Sequence, residues 1–217
     1  MSIRKKILAI SIGPVLVLGI ITLLFMLTMV KSSLMDEVQD ALKGTAAATL
    51  AAYDQNTGDY LESTNGDIWK GSYNISKSES LVDRIKENTG MDVTFFYGNK
   101  RIMTSALDKK GNRILGSEAG ERVVNQVIKG KKPFFSTNVS LDGTRNYGYF
   151  IPVYQNGTTD QVIGMVFVGT NKARKDAIVN KILGSIMMAL LVVMLLCIVT
   201  AMRMAASILS LIHISEP

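Results

Sequence analysis

Two stretches of this chain hold no Asp, Glu, Lys, Arg or His: Ile7–Val30, 24 residues, and Ile182–Met202, 21 residues. At about 1.5 Å of rise per residue, a helix of either length crosses a hydrocarbon core about 30 Å thick. Both are therefore expected as transmembrane helices. The run Arg4-Lys5-Lys6 would also suit the start of a cleaved signal peptide. The apolar run behind it, however, exceeds the usual signal-peptide core of about 7–15 residues, and no A-x-A-like cleavage site precedes "KSSLMDEV". The first helix reads as an uncleaved anchor. Arg4, Lys5 and Lys6 before it and Arg203 after the second helix place both termini in the cytoplasm by the positive-inside rule. Residues 31–181 then lie outside the cell membrane.

That topology changes how the net charge of +6 is read. The outer segment holds 20 Lys plus Arg against 17 Asp plus Glu, a balance of +3, so nucleic acid is not expected as a partner. The excess is local. Between Lys100 and Lys132 nine basic residues face three acids, which describes either a solvated face or an anion-binding concavity. The single cysteine, Cys197, falls inside the second apolar stretch, where it reads as a small packing residue, and no disulfide within the chain is possible. Catalysis finds no support either. There is no phosphate loop, no H-E-x-x-H and no G-x-S-x-G, and the lone His213 lies beyond the second apolar stretch. Neither a catalytic residue, a metal site nor a cofactor is expected.

Between the two apolar stretches the periodicity changes twice. From Lys31 to about Leu61, Leu34, Val38, Leu42, Thr45, Thr49 and Tyr53 recur every three or four residues on an Ala-rich background, which predicts one long helix rising from the first span. Gly, Asn, Ser and Asp interrupt the pattern between Glu62 and Ile75. "SESLVDRIKENTG" then predicts a short helix with Ser78 as N-cap and Gly90 as its stop. Strands follow. "DVTFFY" and "KRIMT" flank Gly98-Asn99, a pair that tolerates positive φ and so suits a tight hairpin. "GERVVNQVIKG" places Val123, Val124, Val127 and Ile128 on one helical face and ends at Gly130. "PFFSTNVSL", "YGYFIPVY" and "VIGMVFVG" complete five strands of an antiparallel sheet curled around a small pocket. Asn171 is placed to cap a helix that runs straight into the second apolar stretch.

The order "TGMDVTFFYGNKRIMTS", "GNRILGS", "VIKGKKPFFS", "YGYFIPVY" and "VIGMVFVG", set between two spans, resembles the single Cache sensor domains of bacterial methyl-accepting chemotaxis proteins and related transmembrane receptors. The resemblance covers residues 62–170. It implies an α+β, PAS-like fold, in which a five-stranded antiparallel sheet follows a long N-terminal helix and two transmembrane helices flank the whole. It also implies an extracytoplasmic small-molecule pocket and a signal carried through the second span, with small organic acids as frequent ligands. The expected order is a cytoplasmic N-terminus (1–6), a transmembrane helix (7–30), a long extracytoplasmic helix (31–61), the single Cache domain (62–170), a connecting helix (171–181), a second transmembrane helix (182–202) and the start of a HAMP-like connector (203–217). "MAASILS" carries that last likeness, while "LIHISEP" departs from it and reads as a truncated, artefactual tail. An output domain is therefore expected to be missing, and contact with cytoplasmic signalling proteins would run through it. Other readings are the sensor portion of a histidine kinase or diguanylate cyclase, or a membrane-anchored structural module with no pocket.

A carboxylate ligand needs charge-assisted donors, which the planar arginine fork supplies in pairs, so Arg101 and Arg113 lead the candidate ligand-binding residues. Tyr147 and Tyr149 alternate onto one strand face, where a phenol can donate while its ring walls a cavity. Lys132, Phe135 and Thr104 complete the set. The competing account makes both arginines structural and both tyrosines core. Besides an organic acid and membrane lipid, a second copy of the chain is an expected partner, because the small residues of "GTAAATLAA" (Gly44–Ala52) let two long helices approach.

Overall fold

The computed structural model describes residues 3–214. It divides into two compact units, residues 36–176 and the pair of segments 1–35 and 177–217. The N-terminal helix α1 (Ile3–Asp54) is unbroken over 52 residues. It ends at Asp54, short of the expected Leu61, because Gln55 and Asn56 turn their amides back onto Ala51 and Tyr53 and Gly58 follows at a φ of 112°. Val38, Leu42, Ala46, Thr49 and Tyr53 form its buried stripe, which follows the expected three-to-four spacing except that Ala46 is buried in place of Thr45 and Leu34 is only half-buried.

Glu62–Ile75, which reads as irregular in the sequence, instead holds most of a small antiparallel sheet of β1 (Tyr60–Glu62), β2 (Ile68–Lys70) and β3 (Tyr73–Asn74). Its strands are too short for a two-residue period to register, and Gly66 and Gly71 supply the positive φ of its turns. A Cβ on Gly71 would lie 1.9 Å from the Thr57 carbonyl oxygen, so no other residue fits there. Lys70 is buried in this sheet, its ammonium 3.4 Å from Asp54 and 4.1 Å from the centre of the Tyr60 ring.

Helix α2 (Glu79–Thr89) stops at Gly90 in the left-handed conformation, as expected. Ser78 stands at its N-cap position but makes no capping bond. Its buried hydroxyl instead donates to Ile75 O at 2.7 Å and shares a hydrogen bond with the Tyr53 hydroxyl at 2.9 Å.

The central sheet is antiparallel in the order β5-β4-β8-β7-β6, formed by β4 (Asp92–Tyr97), β5 (Lys100–Thr104), β6 (Phe134–Leu141), β7 (Thr144–Tyr154) and β8 (Val162–Asn171). Between β5 and β6, one α-turn, α3 (Glu121–Val123), widens into a π-helical stretch, Val124–Lys129. Gly130 ends it at a φ of −79°, so its missing side chain is needed for clearance rather than for a left-handed turn. A Cβ there would lie 2.5 Å from Gln126 O, and the positive φ falls on Lys131. With alternate side chains on opposite faces, Phe95 meets Tyr53 edge-on at 5.2 Å on one side of the sheet. Phe96, Met165, Phe167 and Phe150 belong to the hydrophobic cluster that Val127 closes on the other.

Helix α4 (Lys172–Ile214) starts with no linker after β8, and the Asn171 side-chain oxygen accepts the Arg174 amide at 2.9 Å as its cap. In the second unit the apolar parts of α1 and α4 pack closely at Gly19, where a Cβ would fall 2.4 Å from Met194 Sδ. Leu18, Phe25, Met188, Leu195 and Leu196 point outward and are at least 61% exposed. Both helices are long and apolar enough to cross a membrane. Ser215–Pro217, the end of the expected artefactual tail, and Met1-Ser2 of the expected N-terminus lie outside the described residues.

Candidate functional site: an aromatic cavity with a buried arginine

On the sheet face away from Tyr53 opens a cavity of about 510 Å³. Its floor is aromatic. Phe150 and Phe167 pair across β7 and β8 with ring centres 4.7 Å apart, and Phe134 on β6 lies 6.4 Å from Phe150. The glycines of the hairpin explain how these rings lie down. Gly148 and Gly169 pair directly, and a Cβ on either would come within 2.5 Å of the Phe167 ring. Two absent side chains thus make room for one large one.

The wall is β6. Its pairing with β7 slips between Ser136 and Val139, and the bulge turns Thr137 and Asn138 outward. All of Phe134–Leu141 borders the cavity, so hydroxyls and an amide alternate with apolar groups along its rim. Glu118, Gly120, Arg122 and Val123 close the far side, with the Arg122 guanidinium over the Phe134 ring at 5.4 Å.

Arg101 enters this cavity from β5, opposite Phe96 in the register and 5.4 Å from that ring. Its backbone is fixed on both sides, the amide donating to Ser117 O and the carbonyl accepting from Gly116 N, each at 2.9 Å. The side chain is 8% exposed. Nη1 donates to Ile114 O at 3.2 Å, and Nε has no partner among the described residues. No carboxylate among the described residues forms an ion pair with it. Burial pushes its pKa below the ordinary guanidinium value, and the field of Asp92 offsets part of that shift. A buried, incompletely bonded cation is an unfavourable arrangement that an anion would relieve.

Of the seven residues singled out in the sequence, Arg101 and Phe135 border the cavity. The other five do not. Arg113 donates through both terminal nitrogens to Asp83 of α2 and through Nη1 to Thr104 O at 2.7 Å. That pair raises the Arg113 pKa and holds Asp83 below the usual carboxylate range. The Thr104 hydroxyl is buried between Thr94, at 2.7 Å, and Val93 O. Tyr147 and Tyr149 do share a strand face, but it is the face opposite Phe150, and both are buried there. Lys132 is exposed beyond the π-helical stretch and away from the lining. Sequence reasoning missed Arg122, Glu118 and the run Ser136–Ser140. The legible signal for that run was "STN" interrupting an otherwise apolar strand.

Tyr147 has a different role. Its hydroxyl donates to Asp176 in the first turns of α4, Phe135 stacks on its ring at 6.3 Å, and Lys172 sits 5.1 Å from the same ring. Lys172 Nζ also donates to the carbonyl of Thr137, a residue of the cavity wall, at 3.1 Å. Burial, with Asp176 adding to it, pushes the Tyr147 phenol up to about 12. Through these contacts the cavity wall is joined to the start of α4.

The family model described as Single cache domain 3 matches residues 73–182. Among solved structures, the chain is similar to an extracellular ligand binding receptor from Desulfohalobium retbaense DSM5692 at 15% identity and a TM-score of 0.48, covering 69% of this chain and 26% of that one. It is similar to the sensor domain of E. coli DcuS at 13% identity and a TM-score of 0.40, covering 70% and 98%. A third likeness, to Methyl-accepting Chemotaxis protein X, has 16% identity and a TM-score of 0.37, covering 68% and 64%. The chain thus spans about a quarter of the length of the first of these. No curated protein matches it.

Proposed function

The chain belongs to the single Cache domain 3 family, and on that premise we propose that it is the sensor part of a two-pass membrane receptor whose outer domain binds a small organic anion and signals through α4. The observation that carries this reading is Arg101: a buried residue bordering a cavity, with its Nε unbonded and no acid paired to it among the described residues. An anion in the cavity supplies the missing charge and hydrogen bonds. Arg122, Ser136 and Asn138 are the further polar contacts, and Phe134 is an apolar one.

The route outward is the set of bonds from β6 and β7 to α4. An occupant that draws β6 toward Arg101 moves Thr137 and Phe135, and with them Lys172 and Tyr147. Signalling requires the ligand to bind two arrangements of that latch with different affinity, since equal affinity shifts nothing. In this reading both termini are cytoplasmic, residues 31–181 lie outside, two copies associate along α1, and the output is a chemotaxis, kinase or cyclase module contacted through α4.

The test is thermal unfolding of the full chain in lipid nanodiscs, with and without a panel of organic acids. An acid that stabilises wild type but not Arg101→Met supports the proposal. Equal stabilisation of both proteins would remove Arg101 from the site.

A further inference from the structure

The cavity's charge and lining together specify more than an anion. Among its lining residues the ionisable groups are Arg101, Arg122 and Glu118, two cations and one carboxylate, so the site carries a formal +1. A monoanion leaves it neutral; a dianion leaves one excess negative charge beside the Glu118 carboxylate. Only part of the Arg101 fork is available, because Nη1 is held by Ile114 O. That geometry suits one carboxylate rather than two.

The rest of the cavity is apolar in a particular way. Five phenylalanines border it, and Phe134, Phe150 and Phe167 form a continuous run of rings with successive centres 6.4 and 4.7 Å apart. An acid of two to four carbons would leave most of the roughly 510 Å³ unfilled and the half-buried Phe134 ring partly uncovered. An aromatic body fills that space and gains an offset or edge contact with Phe134, behind which Phe150 and Phe167 are packed.

We infer that the site takes an aromatic monocarboxylate, with its carboxylate on Arg101, its ring against Phe134, and Glu118 selecting against a second acid group. The inference rests on the reading of this cavity as an anion sensor and narrows it to one ligand class.

Isothermal titration of the full chain in nanodiscs with phenylacetate, benzoate, propionate, succinate and phenethylamine tests it. Phenylacetate or benzoate is expected to bind at least about tenfold more tightly than propionate, since a buried ring adds far more apolar contact than a methyl group. Succinate is expected to be at least about tenfold weaker as well, and Glu118→Gln should narrow that gap severalfold while leaving phenylacetate within about twofold. Arg101→Met should weaken every acid that binds, and the wild-type ranking decides the matter even if that variant fails to fold. If succinate or propionate binds as tightly as phenylacetate through Arg101, the aromatic class is wrong and the anion sensor stands. Phenethylamine binding tighter than either aromatic acid, unaffected by Arg101→Met, would overturn both. Absence of binding by either aromatic acid would overturn the inference alone.

Discussion

The two faces of the central sheet are built from the same residue types and end in opposite conditions. On the α1 side, Tyr53, Tyr60 and Phe95 interlock at 5.2 and 5.8 Å, the Tyr53 hydroxyl is bonded to Ser78 and the Tyr60 hydroxyl to Asp54. On the other side, Phe150 and Phe167 pack at 4.7 Å and line a cavity, and the Nε of the Arg101 guanidinium that borders it lacks a partner among the described residues. Arg101 and Arg113 repeat the contrast at one residue type: Arg113 has the Asp83 carboxylate and Thr104 O, whereas Arg101 has a single carbonyl. On the α1 face every one of these polar groups is bonded, while on the cavity face the buried cluster stands beside an arginine with an unbonded Nε among the described residues.

If that division holds, substitutions on the two faces separate in kind. The largest loss is expected for Phe95→Ala or Tyr53→Ala, each of which empties a fully buried ring site and should destabilise by about 3–5 kcal/mol in denaturant unfolding. Phe134→Ala, at the half-buried ring of the cavity face, should lose only about 1–2 kcal/mol. Comparable losses at both positions would erase the distinction between the faces.

The arginines sharpen it further. Arg113→Met breaks a two-bond ion pair and is expected to lower apo stability by about 1–3 kcal/mol. Arg101→Met removes a buried charge with incomplete bonding, so apo stability should stay within about 1 kcal/mol of wild type, or rise, while acid-induced stabilisation disappears. A large apo loss at Arg101 would make it a structural residue like Arg113.

Two pH effects follow, both smaller. Because Asp83 is held below its ordinary value, its contribution is present above the unfolded pKa of about 4 and is lost as pH falls through the lower folded value. Acid unfolding of Arg113→Met should therefore show a shallower decline below about pH 4 than wild type does. Tyr147 is raised to about 12, so its contribution is complete below the unfolded value of about 10 and is lost as pH rises toward 12. Tyr147→Phe should flatten that alkaline decline. An unchanged alkaline limb would break the proposed tie between β7 and α4.

Much of this architecture is legible in the sequence. The stripe on α1, the stop at Gly90, the Gly98-Asn99 turn, the five strands with a helical insertion and the Asn171 cap all follow from local spacing and turn chemistry, which the folded chain obeys. The cavity lining is less legible because it depends on which strand face meets which helix. Tyr147 and Tyr149 share one face, as alternation predicts, but two-residue alternation does not say which of the two faces borders the cavity. Charge and nearness in sequence to Arg101 point to Arg113 as well, yet its partner Asp83 lies 30 positions away on α2. The bulge in β6 that turns Thr137 and Asn138 outward is a register slip, set by pairing with β7 and invisible in a single strand.

The central claim is that Arg101 holds an anion in the cavity while Arg113 is already satisfied. Isotope-labelled arginine side chains in the full chain allow both Nε–H groups to be followed by NMR, each assigned from its Met variant. Titration with phenylacetate is expected to shift the Arg101 Nε–H signal saturably downfield, as a bare donor gains a charged acceptor, and to leave the Arg113 signal in place. An Arg101 signal that stays fixed while phenylacetate binds, or a saturable shift of Arg113 in its stead, would contradict the account.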